Sequence, residues 1–214
     1  MKNIELYSQA EEKINIFTHA LGFLLSIGVF IPLILRVINF GELWITVSFS
    51  IFGFSLIVLY GSSTLYHSAK NIELRYKLKI IDHSSIYVLI AGTYTPFCLV
   101  TLNGSTGWII FCISWGLAII GIILKLFFTG RFKVISTIAY VLMGWLIVFA
   151  ISPLINNLSS EGLFWLFAGG LSYTTGAILY SIKKIKFNHA IFHVFVLAGS
   201  FCHFISVYYY VVPA

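Results

Sequence analysis

His67, Asp82, His189 and His193 fall at the same end of three different apolar stretches of this chain. An ionisable side chain in lipid is costly and by default marks a working site. His189 and His193 are four residues apart, so on a helix they share one face, and two imidazoles so placed can hold one metal ion. With His67 the set becomes three neutral imidazoles, a donor set that suits zinc and leaves a fourth position for water. Asp82 is then either a fourth ligand or the acceptor that orients that water and carries its proton. Ser63, one turn before His67, is placed to donate to a developing oxyanion or to fix the His67 tautomer. Zinc brings the pKa of bound water towards roughly 7, which makes hydroxide available at neutral pH.

Span one contributes a polar stripe. Glu12, Asn15 and His19 are spaced i, i+3, i+7, which places them on one helical face, with Thr18 off it. A helix lying only against lipid has no use for such a stripe, so it faces the bundle interior, where Glu12, Asn15 and His19 are candidates to support the metal ligands from outside and His19 is equally placed to hydrogen-bond a neighbouring helix. His203 lies roughly 15 Å deeper than His193 and is expected to hydrogen-bond a neighbouring helix. His83 points about 100° away from Asp82 and is expected to pack or to meet headgroups.

These residues need a membrane to position them. Of the 214 residues, 59% are hydrophobic and only 9% charged, with a mean hydropathy of +0.98. No arrangement of such a chain covers itself with a polar surface, so the bilayer is its solvent. A span needs about 20 apolar residues, and the candidates are 16–38, 43–66, 81–102, 107–128, 134–155, 161–182 and 189–212. The chain is therefore expected to be an all-α membrane protein, a single seven-helix transmembrane bundle over residues 1–214. Asn103 to Gly107 and Asn156 to Gly162 are turn-like, and the stretch from His67 to Ile80 is the longest polar connection. Pro32, Pro96 and Pro153 lie inside spans one, three and five, where proline removes a backbone donor and can kink the helix. The amino-terminal segment carries Glu5, Glu11 and Glu12 and lacks the pattern of a cleaved signal peptide.

Twelve of the thirteen Lys and Arg residues fall on the amino-terminal side of the membrane, Arg36 being the exception. Positive loops stay cytoplasmic, so the amino terminus is expected inside and the carboxyl terminus outside. A net charge of +6 is thus a topology signal and not a mark of nucleic-acid binding, and the KLK and KKIK runs meet lipid headgroups. Cys98, Cys112 and Cys202 lie in apolar stretches with no ligand-like pairing, as small buried hydrophobes. Trp44, Trp108, Trp165 and Tyr208 to Tyr210 lie near outer ends, as interfacial anchors do.

Taken together, these residues resemble the hemolysin III group of the progestin and adipoQ receptor family over essentially the whole chain. The resemblance rests on Glu12-x-x-Asn15-x-x-Thr18-His19, on Ser63-x-x-Tyr66-His67, on Asp82-His83 followed by Ile90-Ala91-Gly92-Thr93-Tyr94-Thr95-Pro96, and on His189-x-x-x-His193. It implies seven spans with a cytoplasmic amino terminus and zinc held by His67, His189 and His193, with Asp82 near the bound water. The family includes adiponectin receptors and is similar to alkaline ceramidases, so the resemblance also implies hydrolysis of a lipid amide or ester. The short amino-terminal segment is similar to that of bacterial members, which implies a bacterial inner membrane.

Three functions follow as expectations. The first is a zinc-dependent lipid hydrolase with membrane lipids as its partners and no obligate protein partner. The second is a sensor of membrane state in which zinc is structural, tying spans two, three and seven together. The third is a channel or cytolytic protein, which should line a path across the membrane with ionisable groups.

Overall fold

The computed structural model describes residues 7–212, so Lys2 and Glu5 lie outside the described residues. All regular structure among them is helical, and seven helices are long and apolar enough to cross a membrane. In chain order these are α1 (Gln9–Val37), α2 (Leu43–Ser68), α3 (Ile72–Pro96), α4 (Gly104–Phe128), the pair α5 (Lys133–Gly144) and α6 (Ile151–Asn157), α7 (Ser160–Ser181) and α8 (Asn188–Ser206). A π-helical turn, Phe97–Leu102, prolongs α3, and another, Val207–Val211, prolongs α8.

Two spans start earlier than hydropathy predicts. α1 begins at Gln9, where the Ser8 hydroxyl accepts a hydrogen bond from Glu11 N at 3.2 Å. α3 begins at Ile72, so most of the expected loop from His67 to Ile80 is two further turns of helix. Asn71 caps that start by accepting from Leu74 N at 3.0 Å, and Glu, Leu, Arg and Lys in 72–80 are all good helix formers. Hydropathy detects the apolar part of a helix and stops where it emerges from lipid.

The helices close on one another. α1 packs on α2 and α8, α2 on α3, α3 on α4 and α5, α5 on α7, and α7 on α8. α3 is the central element, with 78% of its apolar window buried against 17% to 44% in the other spans. Small residues allow the close crossings: a Cβ at Gly92 of α3 would come within 2.7 Å of Ser55 Cβ on α2. In membranes such approach is a main source of helix association.

Of the three prolines, only one accompanies a broken span. α1 continues through Pro32, and Pro96 is the last α-helical residue of α3. Span five is interrupted between α5 and α6 by the 3₁₀ turn Leu146–Ala150. Pro153 offers no N–H to the carbonyl of Phe149 and would crowd it in a regular helix. Two groups at the break itself are paired from α3: the Tyr94 hydroxyl donates to Gly144 O at 2.8 Å and accepts from Ile147 N at 2.9 Å.

Candidate metal centre

Because the spans alternate in direction, the starts of α1, α3, α5 and α8 and the ends of α2, α4 and α7 share one face of the bundle. His67 sits in the last turn of α2 and His189 in the first turn of α8, with His193 one turn deeper. One ligand atom from each of the three histidines lies within 4.8 Å of the others, and all three residues are buried. α8 is anchored for this purpose by Asn188, whose amide donates to Tyr180 O at the end of α7 at 2.7 Å.

The outer ring nitrogens of His67 and His193 are committed elsewhere, whereas His189 Nδ1 has no hydrogen-bond partner among the described residues. His67 Nδ1 meets Glu12 Oε2 at 2.7 Å, which holds that proton on Nδ1 and leaves Nε2 facing inward. Thr18 Oγ1 donates to Ile14 O at 2.8 Å and so accepts from His193 Nδ1 at 3.3 Å, leaving the second nitrogen of that ring for a ligand. Carboxylate or hydroxyl partners of this kind fix tautomer and ring orientation in metal sites. His67 Nε2 and His189 Nε2 stand 3.1 Å apart. Two lone pairs at that separation repel unless a proton or a metal lies between them. A tetrahedral zinc with Zn–N near 2.0–2.1 Å sets its nitrogens about 3.3 Å apart. The donor type, the His67–His189 spacing and the partners that orient His67 and His193 therefore fit a zinc-like ion.

Residues not assigned to the site from sequence complete it. Arg75 is hydrogen-bonded to Glu12 Oε1, and its other amino group donates to Ala69 O at 3.3 Å and reaches His67 O at 3.5 Å. It thus caps the carboxyl end of α2, where cations are favoured, while orienting the carboxylate that holds His67. Arg75 lies seven residues before Asp82 on the same helix, a spacing that places both on one face and that is recognisable only once 72–80 is seen to be helical. Thr18, expected off the stripe, is in contact with His193. Tyr7 stacks on His189 with ring centroids 4.7 Å apart.

His19 lies parallel to His193, ring centroids 3.4 Å apart and planes 14° apart. Asn15 is fully buried, and its side-chain amide has no hydrogen-bond partner among the described residues. Asp82 and Ser63 are buried and line, with His19, His189 and His193, a cavity of about 160 Å³. Asp82 falls outside the three-histidine group, and its Oδ2 is 3.9 Å from His83 Nε2. His83 lines the same cavity, a position the helical-wheel argument did not anticipate. His203, also on its wall, bonds Leu166 O of α7 through Nε2 at 3.1 Å, as expected of a histidine joining two helices.

The molecule is thus a multi-pass membrane protein with a three-histidine cluster buried near one face. The family described as "Haemolysin-III related" matches residues 7–204. Similar curated proteins are a "Hemolysin-3 homolog" of Bacillus subtilis, 49% identical over 97% of both chains, and "Hemolysin-3" of Bacillus cereus, 48% identical over 95% of this chain and 93% of that one. The human "Monocyte to macrophage differentiation factor" is 29% identical over 94% of this chain and 84% of its own. The chain belongs to the haemolysin-III-related family.

Proposed function

We propose that this protein is a zinc-dependent hydrolase of a lipid amide or ester, working at the inner leaflet of a bacterial cell membrane with its amino terminus in the cytoplasm. The observation that carries the reading is the three-imidazole cluster, two of whose members, His189 and His193, line a cavity that also holds Asp82 and Ser63. His67, His189 and His193 would hold the ion, which when bound supplies Lewis acidity and an activated water. Asp82, outside the ligand group, is available to accept a proton and pass it to a leaving group. Ser63 can donate a hydrogen bond to the substrate carbonyl as charge develops. Glu12, Arg75 and Thr18 keep His67 and His193 in one tautomer and orientation.

A sensor with structural zinc needs a saturated, four-ligand site, and the group of three histidines without Asp82 favours the open alternative. The cytolytic reading rests on the names of the Bacillus relatives. The site's ionisable groups gather near one face, and His203, deeper in the bundle, is bonded to α7.

The first experiment is the metal content of detergent-purified protein beside a His189→Ala/His193→Ala variant. The expected result is about one zinc per chain in the native protein, lost in the variant while helicity is retained. A native protein that takes no metal even with zinc supplied rejects the hydrolase reading. With zinc established, turnover of lipid amides and esters is assayed, with Asp82→Ala as the control expected to be inactive.

A further inference from the structure

The cavity has a second polar wall, opposite in character to the histidines. Lys125, near the end of α4, is only 6% exposed and lines it. Its ammonium donates to Ser136 Oγ at 2.6 Å and lies 5.6 Å from the centroid of the Tyr140 ring, both on α5. No carboxylate pairs with it among the described residues. Lys133, at the start of α5, lines the same wall. Two cations, Lys125 and Lys133, thus line one side of a concave site whose lining among the described residues includes a single carboxylate, Asp82.

A buried ammonium is costly unless something negative completes it. A hydroxyl and an aromatic face offset part of that cost and leave donor capacity, since an ammonium has three N–H groups. The rest of the wall is largely apolar, including Leu59, Ile86, Leu89 and Val196. A volume of about 160 Å³ resembles that of cavities holding one small aromatic ring. Such a volume has room for only the first carbons of an acyl chain.

We propose that Lys125, with Lys133 beside it, holds the anionic head of an acidic lipid in this cavity, so that the protein selects lipids carrying phosphate or carboxylate over neutral ones. The proposal deepens the hydrolase reading, resting on it for the cavity's role as the substrate chamber. The oxyanion faces the lysines of α4 and α5, and the bond to be cleaved lies toward Asp82 and the histidines of α2 and α8.

The test is native mass spectrometry of the intact protein released from nonionic detergent, offered equal amounts of a lysophosphatidic acid and a monoacylglycerol of the same chain length. A charge-assisted contact predicts that the anionic lipid is bound in about tenfold excess. Lys125→Met is expected to bring the ratio close to one, Lys125→Arg to keep most of it, and Lys184→Met, at an exposed lysine outside the cavity, to leave it unchanged. The His189→Ala/His193→Ala variant should keep the preference, so that a failure of the metal centre and a failure of the anion site are told apart. Equal binding of the two lipids by the native protein overturns the proposal, whether or not Lys125→Met folds. An unchanged ratio in a folded Lys125→Met overturns it too. If inorganic phosphate alone displaces the lysolipid at equal concentration, the ligand is a soluble anion and the lipid assignment fails.

Discussion

Replacing Glu12 by alanine is expected to weaken zinc binding although Glu12 is not itself a ligand. The carboxylate accepts the Nδ1 proton of His67, whose side chain is fully buried, and pairs with Arg75 through its other oxygen. Its loss leaves a buried N–H without an acceptor and a guanidinium without its carboxylate, and frees the His67 ring to turn or change tautomer. Removing an outer partner of a metal-bound histidine lowers metal affinity by roughly 10–100-fold, or about 1.4–2.8 kcal/mol. Here the upper half of that range is expected, because the carboxylate side chain is only 17% exposed and serves two partners. Glu12→Gln keeps an oxygen for Nδ1–H but loses the charge and the acceptor for Arg75, so the order of affinity should be native, then Gln, then Ala. Competition against a fluorescent zinc chelator in detergent measures all three, with circular dichroism reporting the fold. Equal affinity in native and folded Glu12→Ala protein would refute the assignment of His67 as a ligand oriented through Nδ1.

Thr18→Val preserves shape and removes the acceptor for His193 Nδ1; the same competition assay should show an affinity loss of up to about tenfold, with the thermal midpoint little changed. Tyr94→Phe leaves Ile147 N and Gly144 O unpaired at the break between α5 and α6, and a destabilisation of about 1–3 kcal/mol is expected in denaturant or thermal melts. Gly169→Ala places a Cβ against the His203 ring, forcing it from Leu166 O; overpacking of this kind costs about 1–3 kcal/mol, read as a lowered melting temperature. In a cysteine-free background, single cysteines at Lys184 and Asn157 should be labelled by an impermeant reagent from the cytoplasmic and the external side respectively, and the reverse pattern would overturn the proposed orientation.

Span number and the three histidines were legible because both rest on strong local signals. Runs of about 20 apolar residues have few alternatives in a chain this hydrophobic, and imidazoles at matched depth on separate helices stand out against Leu, Ile and Phe. Glu12 and His19 were found by helical spacing, and the structure sets Glu12 on His67 and His19 on His193. Arg75 was missed because positive charge outside an apolar run looks like topology, and hydropathy hides the two turns of α3 that carry it. Thr18 was missed because a helical wheel assigns a face within one helix and says nothing of how α8 leans against α1. His83 shows the same limit: the cavity wraps around α3, so neighbouring residues 100° apart both reach it. The break in span five has only Pro153 as a sequence signal, and its repair by Tyr94 is a tertiary event no local pattern encodes.

The cluster draws on helices made at opposite ends of synthesis. His67 and Glu12 enter the membrane with the first two spans, whereas His189 and His193 arrive only with the last, 122 residues after His67. Until α8 docks between α1 and α7, the centre has one imidazole and one clamped carboxylate and cannot grip an ion. Metal capture is therefore a late checkpoint in assembly. A chain truncated before residue 189 would insert six spans and still have no centre, and an ion once held would bind the first-made part of the protein to the last.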